Sequence, residues 1–185
     1  MRLTEEEQKM LDGAYGKSIQ KSMQILTTLG DIYGAEHMIP IKSVHMPGSS
    51  IVVAGEAATS FVEQMGENGT SFAAFTTLNT GAMDMDQPRE LGFSEETIAQ
   101  QKRLTGAYQG MGGVACHTCT PYLIGHCPKF GEHVAWGESS AIAYVNSVIG
   151  ARTNREGGPA ALAAAIAGRV PAYGYHLDEN RRGQF

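Results

Sequence analysis

Short apolar runs with strand-like spacing alternate along this chain with longer segments of helical spacing, and glycine closes most of them. The 23 glycines among 185 residues are many for the length, and much of that glycine stands where a turn needs positive φ. This punctuation favours a loop-rich α/β fold over a helical bundle. One principal domain, spanning 1–185, fits a length within the roughly 100–200 residues of an ordinary domain.

Thr4 followed by Glu7 makes a capping box and predicts a short helix that ends near Gly13. Ile19, Met23, Leu26 and Gly30, beside a second row of Ile25, Leu29 and Ile32, predict a helix with a broad apolar face. Met38 to His45 reads as β, with Pro40 marking an edge. The run Ile51-Val52-Val53 then reads as a strand that leads into a helix with Ala58, Phe61, Val62 and Met65 on one face. Phe72 to Thr76 reads as a buried strand that delivers Thr76-Thr77-Leu78-Asn79 to its C-terminal end, where open α/β sheets carry ligand-binding residues. Ser94 caps a helix faced by Leu104, Ala107, Tyr108 and Met111 and stopped by Gly112-Gly113. A short strand from Val114 carries the cysteines, and Glu138 to Ile149 reads as a buried helix with a polar start. Pro159 and Gly168 bracket an Ala-rich helix, and a polar tail occupies 178–183.

With 14 Lys+Arg against 19 Asp+Glu, the formal charge is −5. No basic surplus exists to hold a nucleic-acid backbone or an anionic membrane face. No apolar run approaches the roughly 20 residues that cross a bilayer. Met1 leads into the charged Thr4-Glu5-Glu6-Glu7 rather than an apolar signal core, so a cytoplasmic protein is expected.

All three cysteines fall between Cys116 and Cys127, a poor plan for disulfides that staple distant loops. The C-x-x-C turn of Cys116 and Cys119 lets two thiolates converge on one soft metal or cluster, and Cys127 is in reach in sequence to supply a third. A redox dithiol or buried structural thiols fit the same spacing. A zinc ribbon would need a second C-x-x-C. His117, His126 and His133 flank this loop as candidate ligands or proton carriers, and His45 precedes a Gly-containing turn. Glu138, Ser139 and Ser140 stand at a helix start, where free N–H groups favour an anion. The segment Gly150 to Gly158 sets Arg152 and Arg155 on a Gly-bounded turn as a second candidate anion grip.

Taken in order, Leu3-Thr4-Glu5-Glu6-Glu7, Ser43-Val44-His45, Thr76-Thr77-Leu78-Asn79, Thr118-Cys119-Thr120-Pro121-Tyr122, Pro128 to His133, Ala135-Trp136-Gly137-Glu138-Ser139-Ser140, Gly150 to Gly158 and His176-Leu177-Asp178-Glu179-Asn180 resemble the large subunit of the aconitase X family. The resemblance implies a layered aconitase-like sheet flanked by helices, and hydro-lyase chemistry with an iron–sulfur cluster. One branch of the family dehydrates phosphomevalonate as a two-subunit enzyme; another dehydrates cis-3-hydroxy-L-proline as a fused chain. The wording from Gly157 to Asn180 is nearer the first.

The Thr118-Cys119-Thr120-Pro121-Tyr122 motif implies by this resemblance that Cys119 is a cluster ligand; Cys116 and Cys127 stay metal candidates on their spacing, the family's other ligands lying in the second half of its large subunit. From their places at helix starts, strand ends and turns, Glu138 and Ser139 are catalytic candidates, and His45, Thr76, Asn79, Ser140, Asn154 and Arg155 substrate-binding candidates. A small swivelling subunit or domain is the expected partner, and the substrate a small hydroxy acid. A family large subunit is about twice as long as this chain. A second polypeptide therefore completes the site, or the chain is a fragment, or its own cysteines assemble a local cluster. The reading from another class is a non-catalytic metal-binding or assembly subunit.

Overall fold

The computed structural model describes residues 1–182; Gly183, at the end of the expected polar tail, lies outside them. The helices are α1 (Glu5–Leu11), α2 (Lys17–Ile32), α3 (Ile51–Met65), α4 (Glu95–Gly110), α5 (Ser139–Tyr144) and α6 (Gly158–Ala167). The strands are β1 (Met38–Pro40), β2 (Ser43–Met46), β3 (Phe75–Leu78), β4 (Ala135–Trp136) and β5 (Arg169–Pro171). Helix α6 forms the centre: every residue from Ala161 to Ala167 is buried. A helix apolar all round has to be enclosed, and its alanines let the backbone of α2 approach closely along its length.

Beside α6 lies a three-stranded parallel sheet in the order β3-β2-β4. All four residues of β2 are buried, as a central strand covered on both faces requires. The chain leaves β2 to one side through α3 into β3 and later returns to the other side as β4. That reversal at β2 is the topological switch point of an open α/β sheet, and the crevice at its strand C-termini is where such folds take ligands.

Several expectations hold. The capping box of Thr4 and Glu7 is formed, Ser94 caps α4 by accepting from Thr97 N, and Gly168 ends α6 in the left-handed region. Others do not. Met38 to His45 is two strands: β1 pairs antiparallel with β5, with Met38 opposite Pro171, and β2 joins the parallel sheet. Ile51-Val52-Val53 is the first turn of α3, with Val52 and Val53 exposed; Gly55 at φ 66° kinks the helix just beyond. β3 begins at Phe75, three residues after the expected strand start. Val114 contributes a single bridge to Thr77, and the cysteine segment is irregular apart from a short 3-10 turn at Pro121–Ile124. The expected buried helix from Glu138 starts at Ser139, changes to π geometry over Val145–Ile149, and buries only Ala141 and Val145. The two-residue strand β4 precedes the expected helix start at Glu138 and was not anticipated.

Candidate active site

The three parallel strands each release a polar segment at the same end of the sheet. After β2 comes Pro47-Gly48-Ser49-Ser50, after β3 Asn79-Thr80, and after β4 Gly137-Glu138-Ser139. These segments are tied together. Ser49 Oγ donates to the Asn79 carbonyl at 2.6 Å, Asn79 N donates to Met46 O, and Asn79 Nδ2 donates to Glu138 Oε2 at 2.9 Å. Gly137 is required between them: a Cβ there would stand 2.2 Å from Pro47 Cγ.

Glu138 is the N-cap of α5. Its Oε1 accepts from Ser139 Oγ at 2.9 Å and from Ser140 N at 3.4 Å. Burial pushes its carboxyl up, but the hydrogen bonds from Asn79, Ser139 and Ser140 outweigh that and hold it below the ordinary carboxylate value. Glu138 is therefore an ionised acceptor at neutral pH.

Cys119 lies on the loop facing this cluster. Its carbonyl accepts from Ser140 Oγ at 3.3 Å, and its half-buried thiol has one weak contact, 3.9 Å to Thr80 Oγ1. Cys116 turns inward, donating its S–H to Leu78 O at 3.3 Å. Cys127 is exposed, and all three thiols are free. Among the described residues no three His, Cys, Asp or Glu side chains are gathered around one ion position. Of the three, only Cys119 has a sulfur free of the main chain on the loop that meets Thr80 and Ser140, so this chain offers one thiolate there.

Ser139 also lines a cavity of about 500 Å³ with Asn146, Ser147, Arg155, Tyr175 and Arg181. The Arg155 side chain is exposed, whereas Arg181 is held by Asn146 Oδ1 at 2.8 Å. On the other flank, a cavity of about 560 Å³ runs between the acidic loop at Asp84 and Asp86 and the segment Ala115-Cys116-His117. His117 adopts φ 44° and contacts the Asn79 carbonyl through Nδ1 at 3.3 Å.

Four expected site residues sit elsewhere in role. Asn154 is engaged within the chain: its Nδ2 donates to Tyr173 O and its Oδ1 accepts from Tyr175 N, so it pins a turn. Thr76 Oγ1 donates to Ala74 O, a local strand contact. His45 is fully buried beneath the site, where burial lowers its pKa to about 4 against the Glu138 charge, the Thr118 backbone and the Asn79 side chain, which raise it. His133 pairs with His176 across 2.9 Å, away from the cysteine loop it was grouped with. Three residues were missed. Thr77 contacts both His45 and His126, Ser49 ties two strand ends, and Gln101 braces both loops from α4. Gln101 had a signal, since it stands three residues before Leu104 on the apolar face, where the spacing asks for a buried residue.

A family model described as the aconitase X first domain matches residues 1–179. The phosphomevalonate dehydratase large subunit of Methanothermobacter thermautotrophicus is 53% identical over 176 residues, 95% of this chain and 44% of that protein. The cis-3-hydroxy-L-proline dehydratase of Hypocrea jecorina is more distant, 35% identical over 181 residues, 98% of this chain and 30% of that protein. The crystal structure of Thermococcus kodakaraensis aconitase X in its holo form superposes with a TM-score of 0.91 at 47% identity, covering 98% of this chain and 45% of that one. The chain thus spans less than half the length of these relatives. With the family model covering nearly every residue and the same fold seen in a solved relative, the chain belongs to the aconitase X family.

Proposed function

We propose that this chain is the N-terminal catalytic portion of the large subunit of a cytoplasmic phosphomevalonate dehydratase, a hydro-lyase that removes water from a small hydroxy acid. The arrangement that carries the reading is the convergence of Asn79, Glu138, Ser139 and the Cys119 loop at the C-terminal ends of the parallel strands. The greater identity to a phosphomevalonate dehydratase than to a hydroxyproline dehydratase favours the first substrate. A small swivelling subunit, in keeping with the relative's name as a large subunit, and a polypeptide matching the remainder of the relatives' length complete the enzyme in this proposal.

In this reading Cys119 supplies one thiolate to an iron–sulfur cluster whose other ligands come from outside this chain. The cluster, when bound, supplies a Lewis acid that polarises the leaving hydroxyl. Glu138 is ionised and held by three donors, so it is suited to accept a hydrogen bond from substrate. Ser139 donates to Glu138 while bordering the cavity of Arg155 and Arg181, and so connects the carboxylate to a cationic grip for the acid groups of the substrate.

The test is to assemble the chain anaerobically with the small subunit and the remainder of the large subunit, then assay dehydration of phosphomevalonate and of hydroxyproline. Charge-transfer absorption in the visible, lost in Cys119→Ser, and turnover reduced roughly 100-fold or more in Glu138→Gln are expected. A colourless assembly with no dehydration of either substrate overturns the reading.

A further inference from the structure

Beneath the strand ends lies a buried polar row that the chemistry above does not use. His45 Nδ1 is 2.8 Å from Thr77 Oγ1, and the same oxygen is 2.7 Å from His126 Nδ1. His45 is 0% and His126 6% exposed. The rings are held in place by Trp136, at centroid distances of 5.7 Å and 4.8 Å respectively, and His126 by Phe75 at 4.9 Å. The Nε2 atoms of both rings and Asn79 Oδ1 are buried without a hydrogen-bond partner.

One hydroxyl between two imidazoles restricts their protons. Thr77 Oγ1 carries a single hydrogen, and among the described residues its partners are the two rings. A buried hydroxyl proton left without an acceptor costs about 1–3 kcal/mol. The proton therefore goes to one Nδ1, and the other Nδ1–H donates back to the oxygen. At 0% and 6% exposure and with no carboxylate among the described residues hydrogen-bonded to either, both rings are neutral, so each ring has one N–H and the two rings must be opposite tautomers.

The surroundings of His45 choose between the two assignments. The Glu138 charge, the Thr118 backbone and the Asn79 side chain all favour a proton on this ring, and its Nε2 is buried without a partner of its own. The Nε2–H form of His45 meets them, which makes His126 the Nδ1–H form. Asn79 is then fixed as well. With its NH2 on Glu138 Oε2, its orphan Oδ1 is left as the acceptor that a His45 Nε2–H calls for. Flipping the amide would set donor against donor at His45 and oxygen against carboxylate at Glu138.

We propose that His126, Thr77 and His45 form a positioning relay whose opposite tautomers lock the Asn79 amide onto Glu138 and so hold that carboxylate as an aimed, acceptor-only group. Its functional meaning rests on Glu138 being a site carboxylate, but its test does not. In the full chain with 15N-labelled histidine and asparagine near neutral pH, two-bond ring correlations by NMR should show His45 protonated at Nε2 and His126 at Nδ1. Thr77→Val should turn His126 to a mixture of ring tautomers and make exchange of the Asn79 side-chain amide protons about tenfold faster, the factor for roughly one lost hydrogen bond. Thr77→Ser should restore both. The same tautomer in both wild-type rings overturns the relay. So does an Asn79 amide that a folded Thr77→Val leaves unmoved. If Thr77→Val does not fold, the wild-type and Thr77→Ser tautomers decide the matter alone.

Discussion

Gln101 is completely buried and uses its amide in full. Its Oε1 accepts from Ile51 N and Ala82 N, both at 3.0 Å, and its Nε2 donates to Ser49 O at 2.8 Å and Thr105 Oγ1 at 3.1 Å. Two loops that border the strand ends are therefore tied to α4 by one side chain. Gln101→Leu keeps the volume and leaves three main-chain groups without a partner. Ala82 is half-exposed and recovers water, whereas Ile51 N and Ser49 O lie at buried residues, 7% and 1% exposed. At about 1–3 kcal/mol for each orphaned buried group, the loss is about 2–6 kcal/mol, offset by about 1–2 kcal/mol for the added apolar burial. A net destabilisation of about 1–4 kcal/mol follows, a sizeable part of the roughly 5–15 kcal/mol that holds a domain folded. Thr105→Val removes only the acceptor for one N–H and should cost about 1 kcal/mol. Urea unfolding followed by circular dichroism should show Cm displaced in that order with m unchanged. A Gln101→Leu chain within 1 kcal/mol of wild type, or no weaker than Thr105→Val, refutes the bracing role.

Two further outcomes follow from buried charge. Glu156 is 6% exposed, and burial raises its carboxyl from 4.5 to about 7; because the folded value lies above the unfolded one, its contribution to stability is complete below about pH 4.5 and is lost as pH rises through about 7. Glu156→Gln should remove that fall, leaving the variant more stable than wild type at pH 8 by up to the order of 3 kcal/mol, read from denaturation midpoints across pH. Arg169 Nη1 donates to Glu7 Oε1 at 2.7 Å with both side chains largely buried; Arg169→Met should strand Glu7 and cost about 3–5 kcal/mol, whereas the exposed pair Arg2–Glu36, broken by Arg2→Met, should cost under about 1 kcal/mol.

The parts of the fold that could be read along the chain are those whose causes are local. The caps at Thr4 and Ser94 and the stop at Gly168 depend on residues within one helical turn, and each is formed as expected. The failures share a tertiary cause. Ile51-Val52-Val53 has the β-branched composition of a strand, yet Gln101, 50 positions away, takes Ile51 N into a helix start. Ala135-Trp136 is too short to announce itself, and it exists because β2 offers a free edge at Val44 and His45.

The candidate site divides in the same way, and a single pair of neighbours shows why. Asn79, Glu138 and Cys119 could be singled out because each lies in a compact motif beside a strand or helix end. Thr76 and Thr77 are chemically identical and adjacent, but side chains alternate across a strand with a period of two. Composition cannot choose the parity; the register of Thr76 with Val44 and of Thr77 with His45 does. That register sends one hydroxyl to Ala74 O and the other between two imidazoles. His45, Thr77 and His126 stand 32 and 49 positions apart, so no spacing rule joins them. They meet because strand pairing sets His45 beside Thr77, and the loop after Cys119 turns back far enough to lay His126 against Trp136.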